Sequence, residues 1–166
     1  EVCGLYWHSE LKRFDKNYHL NKLNMANKKG INLITIFGDE IDNKFDIVKK
    51  RLIYLFNKNK TKIYARNCNI KEIKTKEYKE FLDFHHIRGS IGSKVKLGAY
   101  YFNHLVSVMV FSNIRLALGN KNDSNNRWEL LRFSSSCNVV GIASKLLKYF
   151  IRNYSTNEII SYSDKR

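Results

Sequence analysis

The sequence contains no proline, although average usage of about 5% would put roughly eight in a chain of 166 residues. Collagen-like and Pro-rich extended architectures are therefore excluded. Cysteine is scarce: Cys3, Cys68 and Cys137 are odd in number, far apart and without a C-x-x-C pair, which argues against a disulfide framework or a zinc ribbon and points to a reducing compartment. Acidic side chains number 15 against 30 Lys and Arg, for a formal charge of +15, so the acidic, solvating classes are excluded as well. Long apolar runs are also missing. The longest, Leu105 to Phe111, is interrupted by Ser107 and suits a short buried strand, far below the roughly 18 residues that span a bilayer. The opening Glu1-Val2-Cys3-Gly4 has no basic region or long apolar stretch of a secretory signal, so a cytoplasmic protein without a membrane span or an evident obligate protein partner is expected.

What is present can fold. Hydrophobic residues make up 43% and aromatics 13%, enough to bury one ordinary core or two small ones. Heavy use of Lys, Asn, Ile and Tyr is consistent with an AT-rich coding sequence, which discounts charge as evidence. A surplus of +15 still creates a field that attracts polyanions, nucleic acid first among them. Residues 1–80 carry 18 basic and 10 acidic side chains and residues 81–166 carry 12 and 5, so neither end forms a basic tail.

Patterning predicts a mixed α/β chain with a seam in the polar run Asn57 to Lys62. The first unit reads β-α-β-α: a short strand at residues 1–7, a helix from Tyr18 to Lys29 closed by Gly30, a buried-type strand from Ile31 to Phe37, and a helix capped by Asp42 or Asn43 with Phe45, Val48, Leu52 and Leu55 on one face. The second reads β-α-β-β-β-α-β. Its strands fall at Ile63–Ala65, Val95–Tyr101, Leu105–Phe111, Trp128–Phe133 and Ile159–Tyr162; the helices are Thr75–Phe84, with Tyr78, Phe81 and Leu82 inward, and Lys145–Tyr154, with Leu146, Leu147, Phe150 and Ile151 inward.

Two constellations carry candidate chemistry. On a strand, Glu1 and Cys3 share a face ahead of Trp7 and His8; a carboxylate so placed can hold Mg²⁺, which activates water and neutralises phosphate charge, while a histidine moves a proton or contacts phosphate. The plain alternative makes Trp7 a core residue and His8 a surface one. The second is Cys137 to Ser144, where the small residues Gly141, Ala143 and Ser144 let helix N-terminal amides approach a pyrophosphate, or simply permit close helix–sheet packing. Lys49, Lys50 and Arg51 form a basic stripe suited to phosphate contacts or to plain solvation. The Asp83-His85-His86 group reads as solvated turn residues, and Asp39, Glu40 and Asp42 could supply a second carboxylate at the end of the strand or serve as helix-dipole caps. Among Tyr100, Tyr101 and Phe102, an exposed pair could stack on bases.

Glu1 to Glu10 resembles the E-x-N-G-L-Y-W-H-S-E segment of phage homing-endonuclease-like proteins related to the very-short-patch repair endonucleases, a branch of the PD-(D/E)XK nucleases; the likeness continues through Tyr18-His19-Leu20-Asn21-Lys22 and Leu33 to Glu40. It covers about residues 1–55 and implies a partial restriction-endonuclease-like domain at 1–57. There Glu1 is the metal-binding Glu of the D…E-x-K pattern, Cys3 stands where Lys or Asn is expected, His8 and His19 are catalytic, and Trp7 meets DNA. The Asp of that pattern belongs on a strand before Glu1, so a fragment or decayed copy that does not cut by itself is expected, in a phage or bacterial-host cytoplasm. Residues 58–166 resemble the GNAT N-acyltransferase fold without its last strands. Asn138-Val139-Val140-Gly141-Ile142-Ala143 matches the family's Q/R-x-x-G-x-G/A loop except at its first position. That likeness implies a coenzyme A derivative at Val139, Gly141, Ala143 and Ser144. The expectations are thus a Mg²⁺-dependent, DNA-binding endonuclease-type protein first, a coenzyme A-binding acyltransferase-like domain second, and an inactive DNA-binding module third.

Overall fold

The computed structural model describes residues 1–4, 17–56, 62–114 and 126–162. Helices and mixed sheets together make this an α/β protein, divided into two compact units, Glu1–Phe56 and Asn57–Tyr162.

In the first unit, β1 (Val2–Cys3) pairs in parallel with β2 (Ile36–Phe37), and α1 (Tyr18–Lys28) makes the crossover between them. The helix ends where the sequence said it should. Gly30 takes φ 70°, and the Gly30 and Ile31 amides donate back to Asn27 O and Ala26 O. The strand expected over Ile31–Phe37 is ordered as a strand only at Ile36–Phe37, because β1 offers a two-residue partner. The next helix, α2 (Gly38–Phe56), starts earlier than Asp42 and is broken at Lys44, whose φ of −139° and ψ of 35° are not helical. Half of its expected inward face is outward: Val48 is buried and Leu52 partly so, whereas Phe45 and Leu55 are exposed.

The second unit begins with β3 (Lys62–Tyr64), one residue earlier than the expected Ile63–Ala65 because Ala65–Asn67 turns into a single 3-10 turn, and continues with β4 (Asn69–Glu72), an edge strand the pattern did not reveal. Helix α3 (Thr75–His85) follows, with Lys74 as its N-cap and no side-chain cap bond. The hairpin of β5 (Val95–Tyr101) and β6 (His104–Asn113) closes in two residues, Phe102 and Asn103, at φ 44° and 64°, the left-handed pair that matches strand twist in tight hairpins. Then come β7 (Arg127–Ser135), the unforeseen β8 (Asn138–Val140), α4 (Ile142–Asn153) and β9 (Glu158–Ser161).

Five of these strands form one sheet in the order β4-β5-β6-β7-β9, antiparallel up to β7 and parallel between β7 and β9, with α4 as the crossover; β3 pairs with β8 in a separate parallel ladder. The period of two in β5 and β6 sends alternate side chains to opposite faces. Leu97, Ala99, Met109 and Phe111 meet Ile142, Leu146 and Phe150 of α4, while Tyr100, Val108 and Val110 meet Tyr78, Phe81 and Leu82 of α3. Phe150 stacks on Phe111 at 3.7 Å between ring centroids, with Trp128 edge-on at 5.2 Å. Ile151, expected inward, is half exposed because it lies off the Leu146–Phe150 stripe.

Candidate functional site

In the first unit the parallel pair fixes Glu1 at the start of β1, where its carbonyl accepts from Ile36 N at 2.9 Å and its nitrogen donates to Ile34 O at 2.8 Å. Its carboxylate forms an ion pair and hydrogen bond with Lys22 of α1. That bond holds the carboxyl below the usual range, against the opposing effect of desolvation, and raises the Lys22 ammonium in turn. Cys3, on the same strand face two residues on, is fully buried; burial first and the Glu1 charge second push its thiol up, so at neutral pH it is a neutral core group rather than a nucleophile. His19 stands one helical turn before Lys22, its half-buried ring edge-on to Phe37 at 5.5 Å, and Phe37 is the strand partner of Cys3. The fold thus brings Glu1, Cys3, His19 and Lys22 onto one β-α-β unit. Lys22 was not singled out from the sequence, since nothing local links positions 21 residues apart. Trp7 and His8 lie outside the described residues.

Among the described residues no three His, Cys, Asp or Glu side chains converge to hold a metal ion. A single carboxylate suits Mg²⁺ only where substrate phosphates and water complete an octahedron, so Glu1 has the right donor chemistry and Lys22 occupies it. Asp39 and Glu40 sit in the first turn of α2, with Glu40 Oε2 accepting from Phe37 N at 3.3 Å, which is a capping arrangement. Lys49, Lys50 and Arg51 are all exposed along α2.

In the second unit the expected loop 139–144 is split among three structures. Val139 is a buried residue of β8, Gly141 is the N-cap of α4 at φ 79°, and Ala143 and Ser144 are exposed in its first turn. A Cβ at Gly141 would meet only Ala65 Cβ, at 3.7 Å, so glycine is required there for conformation and not for space. The amides of the first turn have no intrahelical acceptors, which is the chemistry a pyrophosphate uses. Asn138, just before Val139, is paired with Lys62 in the β3–β8 ladder. Nearby, β7 carries an extra residue, Leu131, between the pairs Val110–Arg132 and Phe111–Leu130, and it joins β9 only over Arg127–Leu130. Bulges of this kind bend a strand and end pairing.

The remaining candidates have structural roles. Asp83 accepts from Ser90 N at 2.6 Å, and His86 Nδ1 accepts from Arg88 N at 3.1 Å; burial, then the charges of Arg132 and Arg88, lowers the His86 pKa to about 4. Tyr100 is buried with its hydroxyl bonded to Glu77, which leaves the strongly exposed Phe102 as the hairpin's open ring. Overlooked in the sequence was a basic groove lined by Arg66, Lys145, Lys148 and Arg152. No helix among the described residues is long and apolar enough to cross a membrane. No family model matches this chain, and no curated protein matches it.

Proposed function

We propose that this chain acts on DNA as an endonuclease-type protein of the PD-(D/E)XK kind, working in the cytoplasm of a phage-infected or bacterial cell. The observation in its support is the pairing of Glu1 with Lys22 across the parallel β1–β2 unit, which sets a strand carboxylate beside an ammonium. Metal-assisted hydrolysis of a phosphodiester can use such a combination: a hard oxygen donor for Mg²⁺ and a cation for the phosphate charge. When bound, Mg²⁺ would supply water activation and charge neutralisation. Glu1 would hold it once Lys22 turns to phosphate, His19 and His8 would move protons or contact phosphate, and Trp7, Lys49, Lys50 and Arg51 would meet DNA. The test is Mg²⁺-dependent nicking of supercoiled plasmid by this chain and by a form extended with upstream coding sequence. Loss of nicking in Glu1→Ala supports the reading, and cutting at the wild-type level by that variant refutes it.

A second reading rests on the second unit, as a GNAT-like domain that binds a coenzyme A derivative through Val139, Gly141, Ala143 and Ser144. The parallel β7–β9 crossover with left-handed Gly141 at the head of α4 favours it. Acetyl-CoA should then raise the melting temperature of the wild type and not of Gly141→Glu; equal shifts in both would refute it. DNA binding with a steep salt dependence, but without nicking or acetyl-CoA stabilisation, would leave a catalytically inactive DNA-binding module.

A further inference from the structure

Between α4 and the segment Arg66–Ile70 lies a cavity of about 720 Å³ whose lining includes Arg66, Asn69, Ser144, Lys145, Lys148 and Arg152 and no carboxylate. Arg66, Lys148 and Arg152 are exposed, so their charges face solvent across the opening. Lys145 differs from them. It is half-buried and donates to Ala65 O at 2.9 Å and Cys68 O at 2.6 Å, tying the 3-10 turn to the helix and thereby fixing where Arg66 stands. Helix α4 has no acidic residue, and its basic side chains recur at positions 145, 148 and 152, one face of a helix. Lys145 is met by its two carbonyls and Arg66 lies over the Tyr64 ring at 5.2 Å from its centroid, but the four like charges repel one another round the opening, and a bound anion relieves that repulsion.

We infer that this groove seats consecutive backbone phosphates of a nucleic acid strand, with Arg66, Lys148 and Arg152 contacting phosphate oxygens and Lys145 holding the groove's shape. The spacing fits a polymer. The two helix cations that contact phosphate, Lys148 and Arg152, stand four residues apart and so rise about 6 Å at roughly 1.5 Å each, and a strand of B-form DNA presents a phosphate about every 3.4 Å along its axis, so they span about two phosphate steps. The identity of the partner as DNA rests on the function proposed above; the groove itself does not depend on Glu1 or on cutting.

The test is fluorescence anisotropy with a labelled duplex of about 20 base pairs and arbitrary sequence, titrated from about 50 to 200 mM KCl. In the triple variant Arg66→Ala, Lys148→Ala, Arg152→Ala the slope of log K against log salt should fall by about 2 to 3 and low-salt affinity by at least about tenfold. A control removing the same charge from exposed positions of the α3 segment, on the other sheet face, is Lys74→Ala, Lys76→Ala, Lys79→Ala; its slope should change by less than about 1. Circular dichroism melting confirms that both variants fold. An unchanged slope in the groove variant, equal losses in both triples, no duplex binding by the wild type, or displacement of the duplex by acetyl-CoA at about its own dissociation constant would each overturn the inference. Groove-dependent binding without nicking would sink the nuclease reading and leave the groove; nicking with an unchanged slope would do the reverse.

Discussion

Replacing Lys145 by Met should destabilise the second unit by about 2 kcal/mol, the value of a charged donor's hydrogen bonds when its acceptors are left behind. The acceptors are not equivalent. Ala65 O also receives Cys68 N at 3.0 Å and keeps a partner, so the cost comes chiefly from Cys68 O, whose residue is buried. Met retains most of the unbranched stem, which keeps lost packing small. Relief of repulsion from Arg66, Lys148 and Arg152 offsets part of the loss, and salt of about 0.5 M screens that offset away. For a domain of about 100 residues, 2 kcal/mol corresponds to a fall in melting temperature of roughly 8–16 °C. Urea unfolding in a Trp7→Phe background, followed through Trp128, would measure it, with Lys148→Met as the comparison because Lys148 is exposed. A loss below about 0.5 kcal/mol at high salt, or an equal loss in Lys148→Met, would refute the claim that Lys145 is a structural tie.

Other consequences are independent of it. His86 has its folded pKa lowered to about 4, so its contribution is fully present above its unfolded value near 6.5 and is lost as pH falls toward 4, where the unfolded chain binds the extra proton. At a half-buried ring this amounts to roughly 1–2 kcal/mol after allowance for solvent, and His86→Gln should flatten that limb of a stability–pH profile. Phe150→Ala removes the ring stacked on Phe111 and should cost about 3–5 kcal/mol by chemical denaturation. Gly141→Ala has room for its Cβ yet must hold φ near 79°, so it should cost about 1 kcal/mol, with Gly141→Asn closer to wild type. In Lys22→Met the carboxyl of Glu1 should titrate at higher pH than in the wild type by NMR, and an unmoved titration would deny that the ion pair persists in solution.

Sequence patterning found the elements whose signal is local. The β5–β6 hairpin shows because both runs are long and β-rich and only polar Asn103 and bulky Phe102 interrupt them, and α3 shows through Tyr78, Phe81 and Leu82. Elements defined by a distant partner did not show. β4, Asn69-Ile70-Lys71-Glu72, is an edge strand with one partly buried apolar side chain, and β8 exists because β3 lies beside it 76 residues away in sequence. The same division holds for function. Glu1, His19 and Gly141 could be picked out as residue types in suggestive neighbourhoods, whereas Lys22 became part of the Glu1 site only through the crossover of α1. The basic groove joins Arg66 to a helix about eighty residues later; its one local signal was an acid-free helix with bases at i, i+3 and i+7.

That helix explains why shape and charge in the second unit must be tested separately. Ile142, Leu146 and Phe150 form the stripe that anchors α4 to the sheet, while Lys145, Lys148 and Arg152 line the groove beside it. The side chains on both stripes ride on one backbone, so a cavity left by Phe150→Ala can shift the helix and with it the spacing of the cations. Reduced DNA affinity in a core variant would therefore follow whether or not the groove binds phosphate. Only the exposed ends of Arg66, Lys148 and Arg152 can be truncated with the stripe of Ile142, Leu146 and Phe150 still seated, and a salt slope that falls while the melting temperature stays within about 2 °C separates contact from architecture.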